Sequence, residues 1–233
     1  MRCRFLTHRE LSWETLDGRA GGRHKVAEQY LAYKIRPAVY FVDFVRHLEQ
    51  AATLSFVLDL DLEIVTVLFA TLPDREEASG SLSERVAAGK DLTAVSAVFL
   101  SGAVDKAFAP GTPRHLPTVD LIGRRVEYAY SPSELYEHIY LNERFYTWQC
   151  LAGAEEGLAD TDRCHYYKVA DDLYFFVWRE KIIPTLGAAV IDFGAMRSTG
   201  KIFGYAGTDF DKTANFAIGA RARFVNVTKR SPG

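Results

Sequence analysis

The sequence predicts an all-β protein built from two copies of one antiparallel unit, and three observations carry that prediction. The chain repeats itself: Tyr33-Lys34 followed by Tyr40-Phe41 returns as Tyr167-Lys168 followed by Tyr174-Phe175. Ser12-Trp13 with Leu16 and Gly18 returns as Thr147-Trp148 with Leu151 and Gly153. Thr53-Leu54, Leu58-Asp59-Leu60 and Phe69 are echoed by Thr185-Leu186, Ile191-Asp192-Phe193 and Phe203. This period is domain-sized, far above that of solenoids and propellers. The second observation is a period of two along short runs rich in β-branched and aromatic residues. The third is the turn chemistry between runs, at Arg36-Pro37, Asp171-Asp172 and Gly207-Thr208-Asp209.

Taken in order, the first copy offers strands over Val39 to Val45, Thr53 to Leu60 and Glu63 to Leu72. A short helix follows near 82–89, capped by Ser81 or Ser83 and ended by Gly89. Leu92 to Val104 reads as the last strand of this copy, because Val95, Ala97 and Phe99 alternate with small or polar neighbours. Pro110, Pro113 and Pro117 mark a linker. The second copy opens at Gly123 to Tyr128 and continues through Leu135 to Leu141, Tyr146 to Leu151, Leu173 to Glu180 and Arg221 to Thr228. The units are therefore 1–108, a linker at 109–121, and 122–233. Mapped back by the repeat, the opening strand of copy two falls before Met1. Either the first barrel lacks its opening strand, leaving an open edge where a homodimer contact can form, or the start is taken too late.

Bulk properties narrow the partners. A net charge of −2 over 233 residues gives no electrostatic drive toward nucleic acid. No apolar run reaches a membrane span, and the start lacks a secretory stretch. Cys3, Cys150 and Cys164 cannot all pair and form no CxxC, so they read as reduced thiols of a cytoplasmic protein. The expected partner is a small molecule, with no nucleic acid and no membrane.

The densest polar-aromatic set lies in copy two. Alternation puts Tyr136, His138 and Tyr140 on one face; Tyr146 and Trp148 share a face of the next strand, and Tyr174, Phe176, Trp178 and Glu180 share another. If these faces line one interior, they wall a cavity with rings and a few polar tips, as small-molecule pockets are walled. His138 then carries a proton near neutral pH, Tyr140 donates a hydrogen bond, and Glu180 serves as an acid or base raised by burial. Tyr136, Tyr146, Trp148, Tyr174, Phe176 and Trp178 hold the ligand. The bland alternative is a half-buried sheet wall with polar tips reaching water, and for Glu180 a surface ion pair with Arg179 or Lys181. Asp43 is the chief polar exception in copy one. No zinc spacing joins His138, His165 and Cys164, so no metal and no cofactor is expected. Gly194 to Lys201 misses the phosphate-loop pattern, and a turn between strands accounts for it better.

The stretches Tyr136 to Asn142, Tyr146 to Leu151, Tyr167 to Lys181 and Arg197 to Tyr205 resemble the C-terminal domain of the family called molybdenum cofactor biosynthesis protein F. Pro37 to Phe44 and the Ala70 to Pro73 region resemble its N-terminal domain. The resemblance implies tandem lipocalin-like (calycin) barrels and an association with molybdopterin synthesis, but brings no catalytic residue set. It also implies an additional N-terminal strand, from which this chain departs. Phenolic acid decarboxylases are related calycin barrels and offer a chemical analogy. Two functions follow: a cofactor-independent lyase or isomerase acting on a planar conjugated substrate, or a non-catalytic carrier or accessory protein.

Overall fold

The computed structural model describes residues 1–14, 26–46, 51–207 and 209–228. It is almost wholly β. The first half holds β1 (Arg2–Phe5), β2 (Glu10–Glu14), β3 (Val26–Gln29), β4 (Leu31–Arg36), β5 (Val39–Val45), β6 (Ala52–Asp59), β7 (Ile64–Thr71), helices α1 (Arg75–Ala78) and α2 (Leu82–Ala87), and β8 (Ser96–Ala103). A two-residue strand, β9 (Leu116–Pro117), leads to the second half. There follow β10 (Arg124–Ala129), β11 (Leu135–Tyr140), β12 (Phe145–Ala152), β13 (Ala159–Ala170), β14 (Leu173–Glu180), β15 (Thr185–Asp192), β16 (Arg197–Ala206) and β17 (Asp209–Val227).

The second half is a closed antiparallel barrel of eight strands. Its order is β12-β11-β10-β17-β16-β15-β14-β13, and a β12–β13 ladder completes the circuit. Closure pairs the edges that an open sheet would leave bare, except along the first half of β17. Period-two alternation sends Tyr174, Phe176 and Trp178 of β14 inward and Leu173, Phe175 and Val177 outward. Facing these rings are the small inward residues Gly187, Ala189, Ala220 and Ala222. Large packs against small, so the middle of the barrel fills with rings. Gly187 illustrates the fit, because a Cβ there would run into the Trp178 indole. Gly187→Ala is expected to cost about 1–3 kcal/mol by overpacking and to shift tryptophan emission to the red. Chemical denaturation followed by fluorescence checks both.

The first half is the same unit left open. It consists of a three-stranded sheet, β1-β2-β3, and a five-stranded sheet, β4-β5-β6-β7-β8. The two meet through Leu11 and Trp13 against Val42, Phe44, Leu54, Phe56 and Val67. Among the described residues, no strand corresponding to β10 bridges β1 and β8, as the repeat predicts. The β5–β6 ladder places Val39 opposite Asp59, as the β14–β15 ladder places Leu173 opposite Asp192. That register corrects two of the sequence echoes. Leu54 and Phe69 point into the first half's own core, whereas Leu186 and Phe203 point out of the barrel, so these pairs match by type and not by place.

The outer face of β13–β16 is covered by the outer face of β4–β8. Phe41, Val57, Leu68 and Val95 pack there on Phe175, Val177, Leu186 and Phe203. Polar ties surround this apolar joint. Arg36 grips Asp192 with Nη2–Oδ1 at 2.7 Å and Nε–Oδ2 at 3.1 Å. Arg179 donates to the Val95 carbonyl and to Asp91, both at 2.8 Å. Inside the joint, the buried carboxylate of Asp43 meets the buried ammonium of Lys201. Asp43 also accepts from Ser55 Oγ at 3.0 Å and Asn215 Nδ2 at 2.6 Å.

Local expectations fared unevenly. Helix α2 starts at Ser81, whose side chain forms a capping box with Glu84, and Gly89 follows its end with φ +65°. Helix α1, capped by Asp74, was not expected. Leu92 to Val104 does contain a strand, β8. The expected strand over Arg221 to Thr228 is only the tail of the 19-residue β17. Arg197 to Lys201 is not a turn, because the turn ends before Arg197 and β16 begins there.

Candidate functional site

One end of the second barrel is plugged. Arg124 lies over the rings of Tyr174, Phe193 and Phe224, and Leu121 is fully buried beside them. Above that plug comes a middle layer: Tyr128, Tyr140, Tyr166, Phe176 and His138. The Tyr128 and Tyr140 hydroxyls bond each other at 2.7 Å, and Tyr166 stacks on Phe176 at 5.6 Å.

The other end opens. β17 runs on past the end of β10, so its first half pairs with β16 alone. Its inward residues there, Ile218 and Phe216, lie opposite Gly200 and Ile202, and Phe216 is 53% exposed. Tyr130, Tyr136, Trp148 and Glu180 are likewise partly exposed while lying on inward positions. This open, ring-lined end of the barrel, with Trp178 and Tyr146 buried among its rings, is called the cup below.

Glu180 is the central titratable group of the cup. The Trp178 indole N–H donates to its Oε1 at 3.0 Å. Burial among rings, with Asp162, Glu155 and Asp160 nearby, pushes its pKa up to about 7 despite that bond. The rim is acidic. Asp162 accepts from Trp148 Nε1 at 2.9 Å, and Glu155 accepts from Tyr136 Oη at 2.8 Å. Burial raises the Asp162 carboxyl too. Lys181 is held by Asp160, Asp162 and the Thr161 carbonyl.

The nine residues singled out from the sequence share the barrel interior, but they separate into layers. Glu180, Trp148, Tyr136 and Trp178 gather at the cup, with Tyr146 just beneath. Tyr140 and Phe176 are packing residues of the middle layer. Tyr174 sits at the plugged end, where its hydroxyl bonds Asp120 at 3.2 Å. The expected ring-walled cavity is corrected in the middle of the barrel, where these rings fill it. His138 is corrected with it: it is 5% exposed and ringed by Tyr128, Tyr140, Tyr146, Phe176 and Trp178. Burial lowers its pKa to about 3, so the ring stays neutral at physiological pH. Among the described residues, its Nδ1 is buried without a hydrogen-bond partner.

Sequence reasoning missed Tyr130, Phe216, Ile218 and Asp162. Carrying the alternation of β17 back to residue 209 would have found Phe216 and Ile218. A separate surface cleft of about 370 Å³ lies between Pro117–Val119 and His165–Tyr167, with Glu143 at its side. It lies outside the barrel and holds none of the nine residues. Among the described residues, no group of three or more His, Cys, Asp or Glu is placed to hold a metal ion. No helix of the described residues is long and apolar enough to cross a membrane.

Comparison with known proteins adds a family. Residues 1–74 match the MoaF N-terminal domain, and residues 115–228 match the MoaF C-terminal domain. The chain belongs to the MoaF family. It is 49% identical over 203 residues to Protein MoaF of Klebsiella aerogenes, an alignment covering 85% of this chain and 74% of that protein. A solved structure from Burkholderia vietnamiensis, described as a proposed β-lactamase, aligns over 48% of this chain and all of its own, at 18% identity and a TM-score of 0.39. Both halves of the MoaF arrangement are therefore present, with the cup inside the C-terminal domain.

Proposed function

We propose that this MoaF chain binds a small planar organic molecule in the cup of its second barrel and acts as an accessory or carrier protein in molybdenum cofactor synthesis. The observation that carries the reading is the set of inward-facing rings left part-bare around one carboxyl group. In the middle of the barrel such rings are buried; at the cup, Phe216, Tyr130, Tyr136 and Trp148 keep contact surface for a ligand. Family membership supplies the pathway side of the proposal.

Tryptophan fluorescence tests it, because Trp148 and Trp178 line the site. A neutral flat probe such as 2-naphthol is expected to quench emission saturably. Phe216→Ala, at a position already half exposed, should weaken that binding about tenfold, roughly the contact area of one ring. Quenching that ignores Phe216→Ala would locate the probe elsewhere and sink the reading.

A second reading is favoured by Glu180 itself. A carboxyl group poised near neutrality suits general acid-base chemistry, so the cup could also turn its ligand over as a lyase or isomerase. Glu180→Gln separates the two. Catalysis predicts lost turnover with affinity largely kept, whereas a carrier responds in affinity alone.

A further inference from the structure

Resting on the cup as the binding site, we propose that its ligand is a flat organic cation: an amidine, a guanidinium or a protonated amino-heterocycle. Two features of the cup select that chemistry together. The rings of Trp148, Tyr130, Tyr136 and Phe216 stay part-exposed at this end, and aromatic rings attract cations through the negative π-density of their faces. Beside them stand Glu180, Asp160 and Glu155, with Asp162 buried behind, whereas the nearby cation Lys181 is already engaged by Asp160 and Asp162. Glu180 uses Oε1 for the Trp178 indole, and Oε2 accepts from no described residue. A ligand N–H has an acceptor waiting there.

Among the described residues, an anion at this end would meet Glu180, Asp160 and Glu155, with Lys181 already paired. Phosphate-bearing molecules are therefore poor occupants, and a flat ring with an N–H edge is a good one.

Affinity should follow the ionisation of Glu180. The groups facing it are the Tyr130 and Tyr146 hydroxyls, Asp160 and Asp162 on β13, and Glu155 in the β12–β13 loop. Burial holds both phenols far above their usual range, so they stay neutral. Cation binding should then strengthen as pH rises through about 7.

The experiment compares benzamidine, benzoate and neutral 2-naphthol on the full chain by calorimetry. Benzamidine is expected to bind at least tenfold tighter than benzoate at pH 8 and to lose about tenfold between pH 8 and pH 6. Glu180→Gln should erase both differences. Benzoate binding as well as benzamidine, or a preference indifferent to Glu180→Gln, overturns the cation proposal. If 2-naphthol binds in a Phe216-dependent way while benzamidine shows no advantage, the cup stands and its cation chemistry falls. If none of the three binds, both fall.

Discussion

Asp43→Ala is expected to lower the unfolding free energy by about 3–5 kcal/mol, the usual cost of stranding one partner of a buried ion pair. Lys201 is 2% exposed and Asp43 4%, so water cannot replace the lost charge. Burial pulls the Lys201 pKa down while Asp43 holds it up; without Asp43 only the first effect remains. Thr53, Ser55 and Asn215 would lose an acceptor as well. The pair joins β5 of the first half to β16 of the second, so the damage falls on the joint between halves. The double variant Asp43→Leu/Lys201→Met should recover most of the loss, since apolar side chains often replace a buried pair without penalty. Urea denaturation of both singles and the double measures the coupling. A single-variant loss below about 1 kcal/mol would show that the charges are hydrated or absent.

His138 is expected to make the protein sensitive to acid. Its folded pKa, about 3, lies below the unfolded value near 6.5, so the unfolded chain binds more protons between those limits. Stability from the neutral ring is complete above pH 6.5 and is lost as pH falls toward 3. By pH 5 the loss is about 2 kcal/mol. His138→Phe, which keeps an aromatic ring in the layer, should flatten the pH 7 to pH 5 slope by that amount. Glu180 acts with the opposite sign: its raised pKa weakens the fold as pH rises from 4.5 to 7. His165, lowered to about 4 by burial and then by Arg179 and Arg163, and His115, lowered by burial, slope the same way as His138. The informative quantity is therefore the difference between parent and variant. An unchanged slope would mean that solvent reaches the His138 ring.

The repeat in the sequence was a sound guide to the fold and a poor one to side-chain direction. Identity at Phe69 and Phe203 looked like correspondence, yet the β6–β7 and β15–β16 registers put one ring in and the other out. A one-residue slip reverses every face of a strand, so matching letters cannot substitute for hydrogen-bond register. Asp43 stood out in the sequence as a lone acid on an apolar strand. Lys201 was met only as the tail of a failed phosphate loop, and nothing local links the two residues. The cup is a mixed case. Alternation placed Trp148, Trp178 and Glu180 on inward faces correctly. The same alternation also placed His138 and Tyr140 inward, but periodicity is blind to depth, and these two sit where rings from five strands converge.

What the sequence alone determined is the antiparallel duplicated architecture and which residues of a strand share a face. Both follow from patterns a few residues long and their recurrence. Only the tertiary structure decided which inward residues meet solvent and which are sealed, and that Asp43 answers Lys201 across the joint. Depth and pairing depend on where β17 outruns β10 and how two curved sheets seat on each other. Those are distances between segments far apart in the chain, which no local pattern encodes.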